Sequence, residues 1–266
     1  MPDLRSDWLE GTHLEGAAST EARRFHLLTY LVSNAIAAEV LSVENWAEAV
    51  HVQPTTRAKI EMVGAAQVAG EHVLVLGSLG RKLGIGVGRT MVEPCWHDVR
   101  RHVRTAIAAR DLAACLILQD LIVGSAVIEI YGTLASAGDL DPRAATVAGN
   151  ILADAFERRE AGTWQLRTVL SQDPEGATDA LRWAHHRAMP ALLGATNQGC
   201  AELCADGACD ATGIDYIGRD IEVLKRRSAE RYTETLRALF SPAVVRPLLA
   251  GLAGYGGGAA QAGHSD

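Results

Sequence analysis

Apolar and polar residues follow a helical period along almost the whole chain, and the two-residue alternation of a half-buried strand never appears. Read with the usual start and stop signals, the pattern predicts a helix from about Glu21 to Val50, a break at Pro54, and a second helix from about Thr55 to Leu83. Gly84, Gly86 and Gly88 then mark a turn. Further helices are expected over about Pro94–Ala109, Leu112–Leu134, Arg143–Leu170, Glu175–Cys204 and Ile217–Phe240, with a loop at Ala137–Pro142. No repeat of fixed period points to a solenoid. The expectation is one all-α domain over residues 21–245, preceded by a polar mobile segment, 1–20, and followed by a Gly/Ala-rich mobile tail, 246–266.

Composition narrows the choices. Of 266 residues 48% are hydrophobic but only 5% aromatic, so the core must be built from Ala, Leu, Val and Ile. A net charge of −7 argues against a nucleic-acid partner, which would call for clustered Lys and Arg. The stretch Leu112–Leu134 has the length of a membrane span, but Asp120 and Glu129 interrupt it, so it reads as a central helix buried in protein and no membrane span is expected. Cys95, Cys115, Cys200, Cys204 and Cys209 form neither a CxxC pair nor an even framework, and the N-terminus lacks the apolar run of a signal peptide. A reducing cytoplasm fits both observations.

Several tempting motifs have plain readings. The run GSLGRKLGIGVGR lacks the GK[ST] ending of a phosphate cradle and follows a helix, so it reads as a helix end and turn. Cys200, Cys204 and Cys209 are spaced by three and four residues with no adjacent His, and read as buried thiols lining a loop. Of His185 and His186 at most one can face the core, and a structural histidine is the default. The more informative pattern is ionisable groups inside apolar helices: Asp120 in LILQDLIVG, Glu129 in AVIEIYG, Asp154 in ILADAFE, and His72. Buried charges need partners. A helical bundle that gathers carboxylates and His usually holds two metals, with a Glu from each of two helices and Glu-x-x-His from each of two others. Two helices each carrying that pair are not found, and no nucleophilic Ser with a nearby His stands out.

Glu44-Asn45-Trp46 with Pro54, His72 followed by Gly80-Arg81-Lys82-Leu83-Gly84, Cys115 to Gln119 with Tyr131, and Asp154 with Gly162 together resemble segments of one family. It is that of the aldehyde-deformylating oxygenases, or fatty aldehyde decarbonylases, ferritin-like di-iron proteins that convert long-chain fatty aldehydes to alkanes. That family has Asp-Asn-Tyr where this chain has Glu44-Asn45-Trp46. The resemblance runs from about Ala35 to Phe240 and implies a ferritin-like bundle of about seven to eight helices, with an insertion near residues 204–216. It also implies where the metal ligands would fall: the first-helix Glu on Leu41, the second-helix Glu-x-x-His on Ala69 and His72, the third Glu on Gly124, and the last pair on Ala155 and Arg158. Only His72 keeps a ligand's chemistry. A shift of one or two residues in the first helix would bring Glu39 to the site instead.

What these replacements imply is a lost di-iron site with no metal and no cofactor. The emptied centre then takes a small apolar organic substrate, lined by Leu41, Ala69, Gly124, Ala155, Tyr131 and His186. His72, Asp120, Asp154 and Arg158 form the expected catalytic cluster: a carboxylate-held His serves as acid or base, and an Arg binds a carboxylate or a developing oxyanion. Glu129 and Glu157 are weaker candidates. The leading expectation is a metal-independent enzyme of lipid-derived or specialised metabolism doing lyase- or cyclase-type chemistry. One alternative is an oxygenase with relocated ligands among Glu39, His72, Asp120, Asp154, Glu157 and His186; another is a non-catalytic ligand-binding or partner protein. A homodimer is compatible with each.

Overall fold

The computed structural model describes residues 17–85, 94–204 and 212–252, and every regular element among them is helical. The helices are α1 (Ala17–Ala49), α2 (Thr56–Lys82), α3 (Pro94–Ala108), α4 (Leu112–Leu116), α5 (Gly124–Ala135), α6 (Pro142–Gln172), α7 (Pro174–Cys204), α8 (Thr212–Leu239) and α9 (Pro242–Leu252). A short 3-10 turn, Val50–Val52, ends α1.

Local chemistry accounts for the boundaries. The Thr55 hydroxyl accepts from the Ala58 N–H and starts α2 just after Pro54. Asp111 caps α4 through the Ala114 N–H, and Asp141 caps α6 through the N–H groups of Arg143 and Ala144, with Pro142 in the first turn. Gly84, at φ 71°, closes α2: its N–H reaches the Arg81 carbonyl and the Ile85 N–H reaches Gly80. That left-handed position is one that glycine adopts without steric cost. Gly86 and Gly88 lie outside the described residues.

Two features depart from the sequence reading. The expected tail begins inside α9, whose Val245 and Leu248 are buried against the bundle, so the helical domain continues to Leu252. Within 246–252 the apolar periodicity is that of one more amphipathic helix; at the other end α1 begins at Ala17, inside the expected mobile segment, and the rest of both expected ends, 1–16 and 253–266, lies outside the described residues. The central helix is the second departure. It is continuous from Leu112 to Ala135, but Ile117–Val123 is wound as a π-helix, marked by the Gly124 N–H bonding to the Gln119 carbonyl five residues back. Such wide turns are rare and concentrate where a helix serves a site.

The four segments α1, α2, the central helix and α6 make the bundle proper: α1 pairs along α2 and the central helix along α6. Helices α3, α7 and α8 pack on the other side of α1 and the central helix, and α9 closes against α7 and α8. Tyr131, Leu31, Ile36, Leu76, Leu118, Leu121 and Ile128 are among the fully buried side chains. Three stretches, Arg23–Val52, Thr56–Lys82 and Leu112–Ala135, are long and apolar enough to cross a membrane by length and composition. The apolar window of the last is 94% buried in protein, as expected for a central helix; that of α2 is 28% buried, leaving Ile60, Val63, Leu74 and Val75 exposed.

Candidate active site

At the middle of the bundle the buried carboxylate of Glu39, on α1 and 1% exposed, is the hub. The Tyr131 hydroxyl of α5 donates to it at 2.9 Å, and both terminal nitrogens of Arg158 on α6 reach it at 3.2 and 3.3 Å. His72 of α2 sits between two carboxylates: its Nδ1 is 3.5 Å from Glu39 and its Nε2 is 3.0 Å from Asp154 Oδ2. Burial alone would raise the Glu39 pKa, but hydrogen bonds from His72 and Arg158 and the Arg158 charge outweigh it and hold the carboxyl below its ordinary range. Tyr131 moves the other way: burial and the neighbouring Glu39 push its pKa well up, so it stays a hydroxyl donor.

Beside this network lies a second acid in different surroundings. Asp120 is in the π-helical segment, fully buried, and desolvation pushes its pKa up to about 7, against the lowering effects of the Arg158 charge and a hydrogen bond from Trp46. The two carboxyls are thus held apart in acidity by their environments, one ionised and one exchanging its proton near neutrality. Arg158 links them: its guanidinium carbon lies 4.9 Å from the centre of the Trp46 ring while its nitrogens grip Glu39.

A narrow cleft, open to solvent at its mouth and with only about 20 Å³ of interior room, runs along this side of the central helix. Its walls are Ser42, Trp46, Gln119, Asp120, Val123, Gly124, Val127, Ala155, Arg158 and Arg159. The widened π-turn lets two consecutive side chains, Gln119 and Asp120, face it together. Gln119 is pinned by Asn45, which donates to its Oε1 at 2.7 Å, and itself donates to Ser42 at 2.9 Å. A neighbouring face of the central helix, with Ile122, Ala126 and Ile130, borders a mostly apolar cavity of about 30 Å³ toward Trp96, Met189 and Tyr232.

Gly162 makes room for Asp120. A Cβ there would overlap the Asp120 carboxyl and its Cβ, neither of which can swing clear in a packed bundle. Gly162→Ala is therefore expected to destabilise the protein by about 1–3 kcal/mol through overpacking, read as a lower denaturation midpoint at unchanged m-value. A variant as stable as the parent would show that Asp120 is free to move.

The sequence-predicted residues sort as follows. His72, Asp120, Asp154 and Arg158 do converge, although Asp154 keeps 47% of its side chain exposed rather than being buried. Gly124 and Ala155 line the cleft, whereas Ala69 and Tyr131 are buried behind it. Leu41 packs into the apolar core, and Glu39 takes the central place instead. The reason is helical phase: two residues are about 200° of rotation, while Ser42, three residues on from Glu39, does reach the cleft. His186 is exposed. Its neighbour His185 is the buried one, stacked on Tyr232 with Nδ1 3.1 Å from the hydroxyl, and burial together with His186 pushes its pKa down to about 4.

The centre is also less empty than expected, because Arg158 and Trp46 occupy it. Glu129 pairs with Arg231 of α8 at 2.6 Å, and Glu157 is exposed. One Glu-x-x-His spacing does occur in the bundle, Glu48 to His51 at the end of α1, but Glu48 binds Arg104 and His51 is exposed. Cys115 is a buried free thiol; the side chains of Cys200, Cys204 and Cys209 lie outside those described. Glu39, Trp46 and Arg159 carry the site beyond the sequence expectation. The first of them was signalled by a lone acid in an apolar run.

The architecture is that of a ferritin-like helical bundle. A solved protein described as having aldehyde deformylating oxidase activity, from Synechococcus, superimposes with a TM-score of 0.69 over 86% of this chain and 96% of its own, at 18% identity. The fold implied by the sequence resemblance is the fold found. No family model and no curated protein sequence matches the chain.

Proposed function

We propose that this chain is a metal-independent enzyme that uses the centre of a ferritin-like bundle for acid–base chemistry on a small organic substrate bound in the cleft beside Asp120. The observation that carries the reading is the clamp of Arg158 on Glu39. Two metal ions need several anionic oxygens free to coordinate. Here Glu39 is committed to a guanidinium, a tyrosine and His72, while Ala69, Gly124 and Ala155 bring no donor side chain. Such a donor set does not fit a di-iron centre, and no step is derived through one. The relocated-ligand alternative is not favoured either. His72 points its two nitrogens at Glu39 and Asp154 on opposite sides, so the three cannot share one ion. Among the described residues no three His, Cys, Asp or Glu side chains converge as a ligand group.

The acid–base assignment follows from environment. A carboxyl that gains and loses its proton near pH 7 is suited to general acid or base work. Asp120 has that property and faces the cleft; Arg158, with a planar fork of donors, is placed to orient a polar group of the substrate or stabilise negative charge that develops on it. The Glu39, His72 and Asp154 chain fixes Arg158. Lyase- or cyclase-type steps fit this equipment, and a cytoplasmic setting belongs to the same reading.

Metal analysis tests the proposal most directly. Full-length protein from cells grown with added iron and manganese is expected to contain both far below one ion per chain by plasma mass spectrometry. Two ions per chain would overturn it. Retained organic molecules, sought by native mass spectrometry of the same sample, would identify the substrate class.

A further inference from the structure

Of the three long apolar stretches, α2 is the least covered by protein. Its apolar window is only 28% buried, and Ile60, Val63, Leu74 and Val75 are four of the seven large apolar side chains exposed among the described residues. Spacings of four, three, three and four residues set Ile60, Gly64, Gln67, Gly70 and Leu74 on one face of the helix. That face points away from the catalytic network, since His72 lies about 140° of helical rotation from Gln67. Apolar side chains gathered on one face mark an interaction surface, whereas single exposed ones need no explanation.

The residue types on this face match when the helix is laid antiparallel on a second copy with Gln67 on the two-fold axis. A residue a given number of places before Gln67 then meets the residue the same number of places after it in the other copy. Ile60 meets Leu74, Gly64 meets Gly70, and the two Gln67 amides meet each other, each able to donate and to accept. Nothing stands within 4 Å of a Cβ built at Gly64, and a Cβ at Gly70 would meet only the Val43 side chain of the same copy, at 4.0 Å. Small residues at a crossing let two helices approach closely. Charge agrees with this register. Arg57 pairs with Glu61 in its own helix, whereas Lys59 has no carboxylate partner among the described residues. In the pair Lys59 comes within one helical turn of the other copy's Glu71, which accepts from Gln67 at 3.1 Å in its own chain. No like charges oppose each other: Arg57 meets Gly77, and Arg81 and Lys82 pass beyond the start of the other α2. A lipid surface fits this face less well, because Gln67 and Glu71 hold its middle and would enter an apolar layer without new partners.

We propose that α2 is the interface of a symmetric homodimer in which two copies pair antiparallel about Gln67. The pairing covers the apolar face and leaves Glu39, His72, Asp120 and Arg158 as they are, so it stands independently of the chemistry assigned to the cleft. One helix face per copy is a small interface, which sets the dissociation constant in a range of about 1–100 μM. Sedimentation velocity of the full-length protein over that range is expected to show a monomer–dimer equilibrium. Ile60→Lys and Leu74→Lys should each weaken the dimer at least about tenfold, with unfolding of the dilute protein unchanged, because the two side chains are 66% and 74% exposed. Gln67→Cys, with its thiol on the axis, should cross-link two chains under mild oxidation well beyond the parent protein, and Arg57→Cys should not. A monomer throughout the range, a dimer that Leu74→Lys leaves intact, or a Gln67→Cys variant that cross-links no more than the parent would each overturn the proposal. Co-sedimentation of a monomer with vesicles of phosphatidylcholine and phosphatidylglycerol, abolished by Leu74→Lys, would overturn it too and give the face to a lipid surface.

Discussion

Glu39→Ala is expected to cost about 3–5 kcal/mol of folding stability, because removing one partner of a buried ion pair strands the other. The Arg158 guanidinium, with 14% of its side chain exposed, would be left over the Trp46 ring without an anion, and Tyr131 and His72 would each lose an acceptor or a neighbouring charge. Adding Arg158→Met to this variant should recover part of the loss, since the stranded cation goes with it; a double-mutant cycle in urea measures the coupling. Additive single losses would mean that the pair is no network. The same pair sets an acid limit. The folded-state pKa of Glu39 lies below its ordinary value, so its contribution is fully present above the ordinary Glu range and is lost as pH falls through the depressed value. Unfolding midpoints of the parent should therefore fall on acidification below that range, and those of Glu39→Gln should fall less.

Asp120 predicts the opposite slope. Its folded pKa, about 7, lies above the unfolded value, so the folded state holds the proton more tightly and stability is greatest at low pH. Between the ordinary aspartate value near 3.8 and about 7 stability falls as pH rises, and above that it levels off. At roughly 1.4 kcal/mol per pH unit the span is of the order of 4 kcal/mol. Asp120→Asn keeps the shape and the Trp46 contact but cannot ionise, so it should be more stable than the parent at pH 8 and nearly equal at pH 4, while losing turnover. Denaturant melts across pH 4–8 read this; parallel curves for the two proteins would place Asp120 in water. On the proposed function, catalysis and stability pull against each other at this one residue, as they do where function requires a buried charge.

Most of the helices could be read directly from the chain. Thr55, Asp111 and Asp141 with Pro142 start helices within a residue or two of the expected positions, because caps are local chemistry. The π-turn could not be seen in this way. The run Ile117 to Val123 is buried on every side and its two polar residues, Gln119 and Asp120, are adjacent, so its sequence carries no phase from which an extra residue per turn could be detected. The same loss of phase hid the choice between Leu41 and Glu39, which lie in one apolar stretch of α1.

His72, Asp120 and Asp154 were legible as candidates because ionisable residues inside apolar helices demand partners, and Arg158 through the family resemblance; the same pattern also singled out Glu129, which pairs with Arg231 instead. Who pairs with whom was not legible. Arg158 could have paired with Asp154, four residues before it on the same helix, yet it crosses the bundle to Glu39, 119 residues away, and leaves Asp154 to His72. Arg159 has no local sign at all: it is one more Arg in an Arg-rich stretch, and its acceptors, the Arg231 carbonyl and the Thr235 hydroxyl of α8, are 72 and 76 residues away.

The sequence by itself determined the helical character of the described residues, most of their helix ends, and a few ionisable residues, such as His72 and Asp120, that are buried with partners. Those follow from periodicity, capping and the cost of desolvating charge, all of which act over a few residues. Only the tertiary structure decided that Glu39 is the hub, that Asp120 and Glu39 differ in acidity, and that Arg158 crosses the bundle to Glu39. Those properties depend on distances between residues as far as 119 apart in the chain, and the electrostatic energy of a buried group is set by what packs around it.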